Sequence, residues 1–418
     1  MRHKSARVFE YQTLGIGEQG LTLPIFERLV RYNELHGCKF FDVGHKKIRF
    51  KNYVGVIQAG GLVIEILPKA DISSKPDEEK WHRVLIQMLH RAGLLKLDSL
   101  SEASLRLRHA SLFDLYIESF LRELRALVHQ GLVRGYRREQ GNLPYLKGKL
   151  LLSRHISTNQ LHKERFYTEH TLYDPDNVHN QILKTALTIL ANWPGNPILA
   201  TAAKKQLLHF EGISDKKFRA ADFSRLAYDR SSERYRPAIQ LAKLIILEYL
   251  PDVSHGREHV LAILFDMNAL FERFVFAEMK RAERHFGDFQ LQLSAQKSRK
   301  FWGGKKLRPD ILAEFLVEGE PRRMILDTKW KTLQVPQPGN EDLRQMYAYN
   351  LHFGSQKALL LYPKVFCRQR VYNSYAAGEI LNKYKHGCGL EFVELFDDEG
   401  HLMRDLGERI IRRILLDI

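Results

Sequence analysis

The stretch from Arg308 to Lys331 constrains this chain more than any other. It runs Arg308-Pro309-Asp310, an apolar run from Ile311 to Val317, a polar turn Glu318-Gly319-Glu320-Pro321, then Met324-Ile325-Leu326-Asp327-Thr328-Lys329-Trp330-Lys331. Two short runs rich in β-branched and aromatic residues around turn chemistry predict a β-hairpin. Side chains alternate along a strand, so Asp327 and Lys329 share one face and Leu326 and Thr328 the other. Asp310, at the start of the neighbouring strand, can meet them. Two carboxylates and an amine at one hairpin are costly to bury without a further role. A divalent metal supplies one, because Mg²⁺ prefers carboxylate oxygens, water and phosphate. Asp310 and Asp327 are the candidate ligands, with the backbone carbonyl of Thr328 as a third. Lys329 would orient an attacking water or neutralise charge developing on a phosphate. The same residues also suit an exposed hairpin with solvated charges, and the flanking segments weigh between the two.

Upstream, Val260 to Phe276 has helical period: Leu261, Leu264, Phe265, Asn268, Glu272, Val275 and Met279 fall on one stripe. Glu272 is then a carboxylate inside an apolar stripe, either completing the metal shell or reaching solvent at a helix edge. Downstream, Asp342 with Gln345 three residues on predicts a capping box at a helix start. Gln345 and Tyr349 are four apart and share a face, where they would support the site or touch a substrate. The bland role for Gln345 is that of an ordinary cap residue.

With 418 residues and 44% hydrophobic content, the chain is long enough for two or three domains with real cores. Its net charge of +16 favours a polyanionic partner. Three cysteines, Cys38, Cys367 and Cys388, lie far apart without metal-ligand spacing, so neither a disulfide framework nor a structural zinc is indicated. The basic N-terminus lacks the apolar core of a signal peptide and no apolar run reaches membrane-span length. A cytoplasmic protein with no membrane partner is the simplest expectation.

In chain order, residues 1–75 read as a small β-rich domain, with strands around Phe40–Val43, Ile48–Phe50, Tyr53–Gln58 and Leu62–Leu67 and a helix over Pro24–His36. Gly60-Gly61 is a hairpin turn, not a phosphate loop, since no Gly-Lys-Ser/Thr follows it. Residues 76–255 read as mainly helical, with Gly93 and Gly131 as helix stops. Within them Arg134–Leu150 reads as a basic loop with interleaved aromatics, suited equally to a phosphate backbone or to solvent. Arg230, Arg234 and Arg236 form another possible phosphate contact. Residues 256–418 alternate helix, strands, helix, strand, strand, which fits a mixed sheet flanked by helices. The expected class is α+β, multidomain.

The Pro-Asp…Asp-x-Lys arrangement resembles the PD-(D/E)xK nuclease superfamily, and Gln345-x-x-x-Tyr349 after it resembles the RecB-like branch. Over nearly the whole chain the resemblance narrows to the McrC family, nuclease subunits of McrBC modification-dependent restriction systems. It is carried by Glu65-Ile66-Leu67-Pro68-Lys69, Leu146-Lys147-Gly148-Lys149-Leu150, Asn180-Gln181-Ile182-Leu183-Lys184, Asn268-x-x-Phe271-Glu272, Arg308-x-Asp310, Asp327-Thr328-Lys329-Trp330-Lys331 and Gln345–Tyr349. Trp330 stands where Tyr is usual, and Thr328 where Ala is. The resemblance implies a Mg²⁺-dependent endonuclease acting on double-stranded DNA that contains modified cytosine. It implies docking through the N-terminal half on a McrB-like AAA+ GTPase hexamer, whose GTP hydrolysis the chain would stimulate. A stand-alone RecB-like exonuclease and a non-catalytic adaptor of the GTPase are the rival expectations.

Overall fold

The computed structural model describes residues 4–69, 77–95, 111–193, 195–250, 260–333, 337–364, 371–376, 385–397 and 399–415. Most of the polar connector expected after Pro68, together with Pro336 and Cys367, lies outside them. The chain divides into two compact units, residues 1–112 with 264–418, and residues 113–263. The boundaries expected from the sequence fall at 75 and 255.

The first unit opens with strands β1 (Lys4–Phe9), β2 (Thr13–Gly15), β3 (Phe41–Gly44), β4 (Lys47–Phe50), β5 (Tyr53–Ala59) and β6 (Leu62–Leu67), and helices α1 (Leu23–Leu35) and α2 (Glu78–Arg91). β1 runs parallel to β6, which pairs antiparallel with β5 across the Gly60-Gly61 turn. Gly60 has a φ of 58°, so this turn needs a residue tolerant of left-handed backbone. The Glu65 side chain of the Glu-Ile-Leu-Pro-Lys segment accepts from Arg7 Nε (3.2 Å) and the Leu112 amide (3.2 Å), so its role there is structural.

The second unit holds helix α3 (Leu112–His129), strands β7 (Gly135–Leu143) and β8 (Lys149–Leu150), helix α4 (Leu152–Thr158) and strand β9 (Phe166–Asp174). Helices α5 (Val178–Ala191), α6 (Pro197–Leu207), α7 (Ala220–Ser224) and α8 (Arg236–Leu247) follow, then β10 (Tyr249–Leu250). The basic segment read as a loop over Arg134–Leu150 is instead largely strand β7, paired with β9 along its whole length. Both of its faces are polar, so it carries no apolar alternation for sequence reasoning to find. Two of the three arginines expected as a phosphate contact, Arg234 and Arg236, are engaged within the protein. Arg234 donates to the Gln130 and Gly131 carbonyls, and Arg236 pairs with Glu233 at 2.7 Å.

Strand β11 (Val260–Asp266) leads into helix α9 (Met267–Ala282). Sequence periodicity alone extends the helix back to Val260, where the structure has strand. Val260–Phe265 is a short apolar run that either period accommodates. Asp266 stops it, because its carboxylate caps the helix by accepting from the Asn268 and Ala269 amides. Beyond it come β12 (Gln292–Ala295), β13 (Arg299–Trp302), β14 (Lys305–Leu307), β15 (Ile311–Val317) and β16 (Glu320–Thr328). Helix α10 (Asn340–Phe353), β17 (Lys357–Pro363), β18 (Val371–Ser374), β19 (Gly387–Val393) and α11 (Leu406–Leu415) complete the unit. The expected mixed sheet is present, in the order β12-β15-β16-β17-β19-β18, with β16, β17 and β19 mutually parallel. Met346, Tyr349 and Phe353 of α10 pack on Leu312, Ile325, Ala358, Leu360 and Tyr362 of the sheet. No helix among the described residues is long and apolar enough to cross a membrane.

Helix α11 buries Leu406, Ile410, Ile411 and Ile414 on one stripe, each contributing roughly 1.5–3 kcal/mol. Its Gly407 lies against α9, where an added Cβ would meet the Glu278 carbonyl oxygen at 2.1 Å. Gly→Ala inside a helix ordinarily stabilises by up to about 1 kcal/mol. Here Gly407→Ala is expected to reverse that sign and cost roughly 1–3 kcal/mol. Chemical denaturation of the full chain checks it, and an unchanged or raised midpoint would contradict the close packing of α9 and α11.

Candidate active site

The hairpin forms as the sequence predicts: β15 and β16 pair antiparallel from Val317–Glu320 to Ile311–Leu326, and Glu318 and Gly319 turn through positive φ. One step beyond the last pair, Asp310 and Asp327 face each other across the two strand ends. Asp310 Oδ2 accepts from both the amide (2.7 Å) and the hydroxyl (2.9 Å) of Thr328. Asp327 is 2% exposed, and its Oδ2 lies 2.8 Å from Lys329 Nζ. That contact pairs the buried carboxylate with the Lys329 ammonium. Lys329 Nζ is also 3.3 Å from Asp342 Oδ1 and 3.4 Å from Gln345 Oε1.

Gln345 and Tyr349 do share a face of α10. Gln345 Nε2 donates to the Tyr349 hydroxyl (2.8 Å), which donates in turn to the Arg308 carbonyl (2.9 Å). A chain of contacts therefore ties the Asp-x-Lys strand end to the residue two before Asp310. The capping box expected from Asp342 does not form. The helix is capped from Gly339 without a side-chain bond, and Asp342 turns inward to Lys329 and to Lys331 (3.0 Å). Two lysines on the facing strand end compete better for that carboxylate than backbone amides do.

Glu272 sits on α9 near enough to feel the Asp310 charge, and its Oε1 accepts from Gln296 Nε2 at 2.7 Å. The Gln296 amide donates to the Asp310 carbonyl (2.9 Å), so Gln296 bridges the two acids. Sequence reasoning did not single out Gln296, and nothing in its local pattern marks it. Arg308, within the Arg-x-Asp segment, places its charge on both Glu272 and Asp310.

The electrostatics follow from this crowding. Burial, then the Asp310 charge, pushes the Asp327 carboxyl up to about 7. Burial raises Asp310 and Glu272 as well, with Asp310 adding to the effect on Glu272. For Lys329, burial works downward but the Asp327 and Asp342 carboxylates outweigh it, so the ammonium is held above its usual range. Lys329 is thus a proton donor and a positive charge at neutral pH, not a base.

These residues fit a divalent cation in one respect and fall short in another. Two neighbouring buried carboxylates, with the Asp310 charge raising Asp327, carry the excess negative charge that a cation relieves. Yet among the described residues no three His, Cys, Asp or Glu side chains are gathered into a metal-holding group. Glu272 is turned to Gln296 and must leave it to join Asp310 and Asp327.

A second carboxylate connects the site to the start of the chain. Trp330 Nε1 donates to Glu10 Oε1 (2.7 Å), and the Lys69 amide donates to the same oxygen (2.8 Å). Trp330 also packs its ring 5.2 Å from that of Phe271, the neighbour of Glu272. Burial pushes Glu10 up to about 7, against those two hydrogen bonds. Its other oxygen is buried without a donor. The folded state therefore keeps this carboxyl protonated where the unfolded chain ionises it. The associated stability is present below about 4.5 and is lost as pH rises toward 7. Glu10→Gln, which retains an acceptor for the indole, is expected to raise Tm near pH 8 by an amount that vanishes near pH 4.5. An equal change at both pH values would contradict the assignment.

A family model described as McrBC 5-methylcytosine restriction system component matches residues 48–363. No curated protein matches the chain. Among solved structures, the half-complex from the tetradecameric assembly of Thermococcus gammatolerans McrB AAA+ hexamers with bound McrC contains a similar chain, with TM-score 0.66 and 20% identity over 99% of this chain and 100% of that one. A chain of the Thermococcus gammatolerans McrBC complex matches at TM-score 0.49 and 24% identity, over 66% of this chain and 87% of that one. The first of these likenesses speaks for the fold. Because the family model spans well over half of the 418 residues, and spans the site just described, the chain belongs to the McrBC 5-methylcytosine restriction system component family.

Proposed function

We propose that the chain is the McrC-type nuclease subunit of such a system, an endonuclease that hydrolyses phosphodiesters in double-stranded DNA containing modified cytosine. The observation that carries this reading is the convergence of Asp310, Asp327 and Lys329 at one strand end, with Gln345 and Tyr349 behind them. Asp310, Asp327 and the Thr328 carbonyl would hold Mg²⁺, with Glu272 extending the shell. When bound, the metal would supply Lewis-acid stabilisation of the phosphate charge and a more acidic water. In the hydrolysis a water oxygen bonds to phosphorus, one ester P–O bond breaks, and the leaving oxygen takes a proton. Lys329 faces the developing negative charge and can hydrogen-bond the incoming water. Asp342 and Gln345 hold its ammonium in place, and Tyr349 orients Gln345.

In this reading residues 256–418 carry the nuclease part and residues 1–75 dock on a McrB-like AAA+ GTPase hexamer. The protein is cytoplasmic, as a restriction subunit must be to meet incoming DNA. The test is cleavage of methylated duplex DNA by the full chain with its GTPase partner, GTP and Mg²⁺. Cutting that requires all four supports the reading. Cutting of DNA ends without the GTPase would favour the exonuclease alternative, and stimulated GTP hydrolysis without cutting under any divalent metal would favour the adaptor.

A further inference from the structure

Strands β13 and β14 form a two-stranded ribbon of their own, outside the six-stranded sheet. Its sequence, Arg299-Lys300-Phe301-Trp302-Gly303-Gly304-Lys305-Lys306-Leu307-Arg308, holds five cations and no acid, and Asp310 follows two residues later. The base is fixed: Arg299 Nη1 donates to the His352 carbonyl, its guanidinium lies over Phe353, and Phe301 meets the His352 ring edge-on at 5.2 Å. The tip is not: Trp302 is 71% exposed, with Lys305 Nζ 5.7 Å from its ring. Lys300 and Lys306 stand directly opposite each other, and among the described residues neither they nor Lys305 has a carboxylate partner.

Two features of this ribbon work against its own stability. Like charges directly across an antiparallel pair are destabilising. A lone two-stranded ribbon is marginal in water and gains nothing from leaving its largest aromatic in solvent. Both become favourable beside a polyanion with flat apolar surfaces, where the cations meet phosphates and the indole meets a base or sugar. We propose that the Arg299–Leu307 ribbon is a DNA-binding arm, in which Lys300, Lys305 and Lys306 contact the backbone of duplex DNA and Trp302 packs against the nucleotides. The arm would hold the duplex beside Asp310. The choice of DNA rests on the nuclease reading above; the charge pattern and the exposed indole stand apart from it.

The test is binding of a short blunt DNA duplex to the purified full chain, without divalent metal and across a salt series. Each lost phosphate contact lowers the slope of log affinity against log salt by about 0.9. Lys300→Ala/Lys305→Ala/Lys306→Ala is therefore expected to lower the slope by roughly 2–3, and the matching Lys→Arg triple to restore it. Trp302→Ala is expected to weaken binding roughly tenfold at every salt concentration. Binding is read without metal and cutting in a separate assay, so a failed nuclease reading (the wild type binds but never cuts) and a failed arm (arm variants bind as wild type) give different results. An unchanged slope and affinity in both arm variants would overturn the proposal. So would variants that bind DNA normally but no longer assemble with the GTPase, or that only aggregate.

Discussion

Asp327→Asn should remove DNA cleavage by the assembled restriction complex, with a loss of at least roughly 10³-fold in the single-turnover rate, while leaving the fold as stable as before or more so. The two halves of this expectation come from the same geometry. A carboxylate that holds a catalytic metal supplies several kcal/mol of transition-state stabilisation, and about 4 kcal/mol corresponds to roughly 10³ in rate. Yet the carboxyl is buried beside Asp310, which pushes it up to about 7, so the folded chain prefers it neutral. Asn supplies that neutral form at nearly the same volume. A carboxylate kept only for structure would show the opposite: little loss of cutting and a fall in Tm. Cleavage of end-labelled methylated duplex, run beside thermal unfolding at about pH 8, reads both halves.

Lys329→Met should show both losses together. Its ammonium is the counter-charge for Asp327 at 2.8 Å and Asp342 at 3.3 Å. Removing it leaves two carboxylates facing each other in a partly buried site, at a cost of roughly 1–3 kcal/mol once solvent screening of the side chain is allowed for. Cutting should fall by roughly 10²–10³, the size seen when one preorganised donor is removed from an active site. The stability loss is electrostatic, so Asp327→Asn/Lys329→Met should be more stable near neutral pH than Lys329→Met alone. Thermal unfolding of the four proteins of this cycle checks it, and strictly additive Tm changes would contradict the pairing.

Much of this site was legible because its signals are local. The β15–β16 hairpin announces itself through Glu318-Gly319 between two β-branched runs, and the four-residue spacing of Gln345 and Tyr349 alone puts them on one helix face. What was not legible depended on partners elsewhere. Val260–Phe265 satisfies a helical stripe and a buried strand equally, and only Asp266, read as a cap, separates them. Asp342 had the spacing of a cap residue but found two lysines on a strand end eleven and thirteen residues back. Strand β7 is polar on both faces, so its pairing with β9 leaves no apolar pattern. Glu10 and Trp330 are 320 residues apart, and no periodicity connects them. The departure from Tyr to Trp at position 330 acquires a physical meaning through Glu10, since an indole N–H is a donor only.

Cutting by this site, as proposed, requires a divalent cation held between Asp310 and Asp327. The most direct measurement is anomalous diffraction from crystals of the full chain soaked in Mn²⁺, which takes the same oxygen ligands as Mg²⁺. The predicted result is one anomalous peak at roughly 2.0–2.4 Å from a carboxylate oxygen of each aspartate, absent from Asp327→Asn crystals. A wild-type site with no peak there, while Mn²⁺ supports cutting in solution, would contradict it.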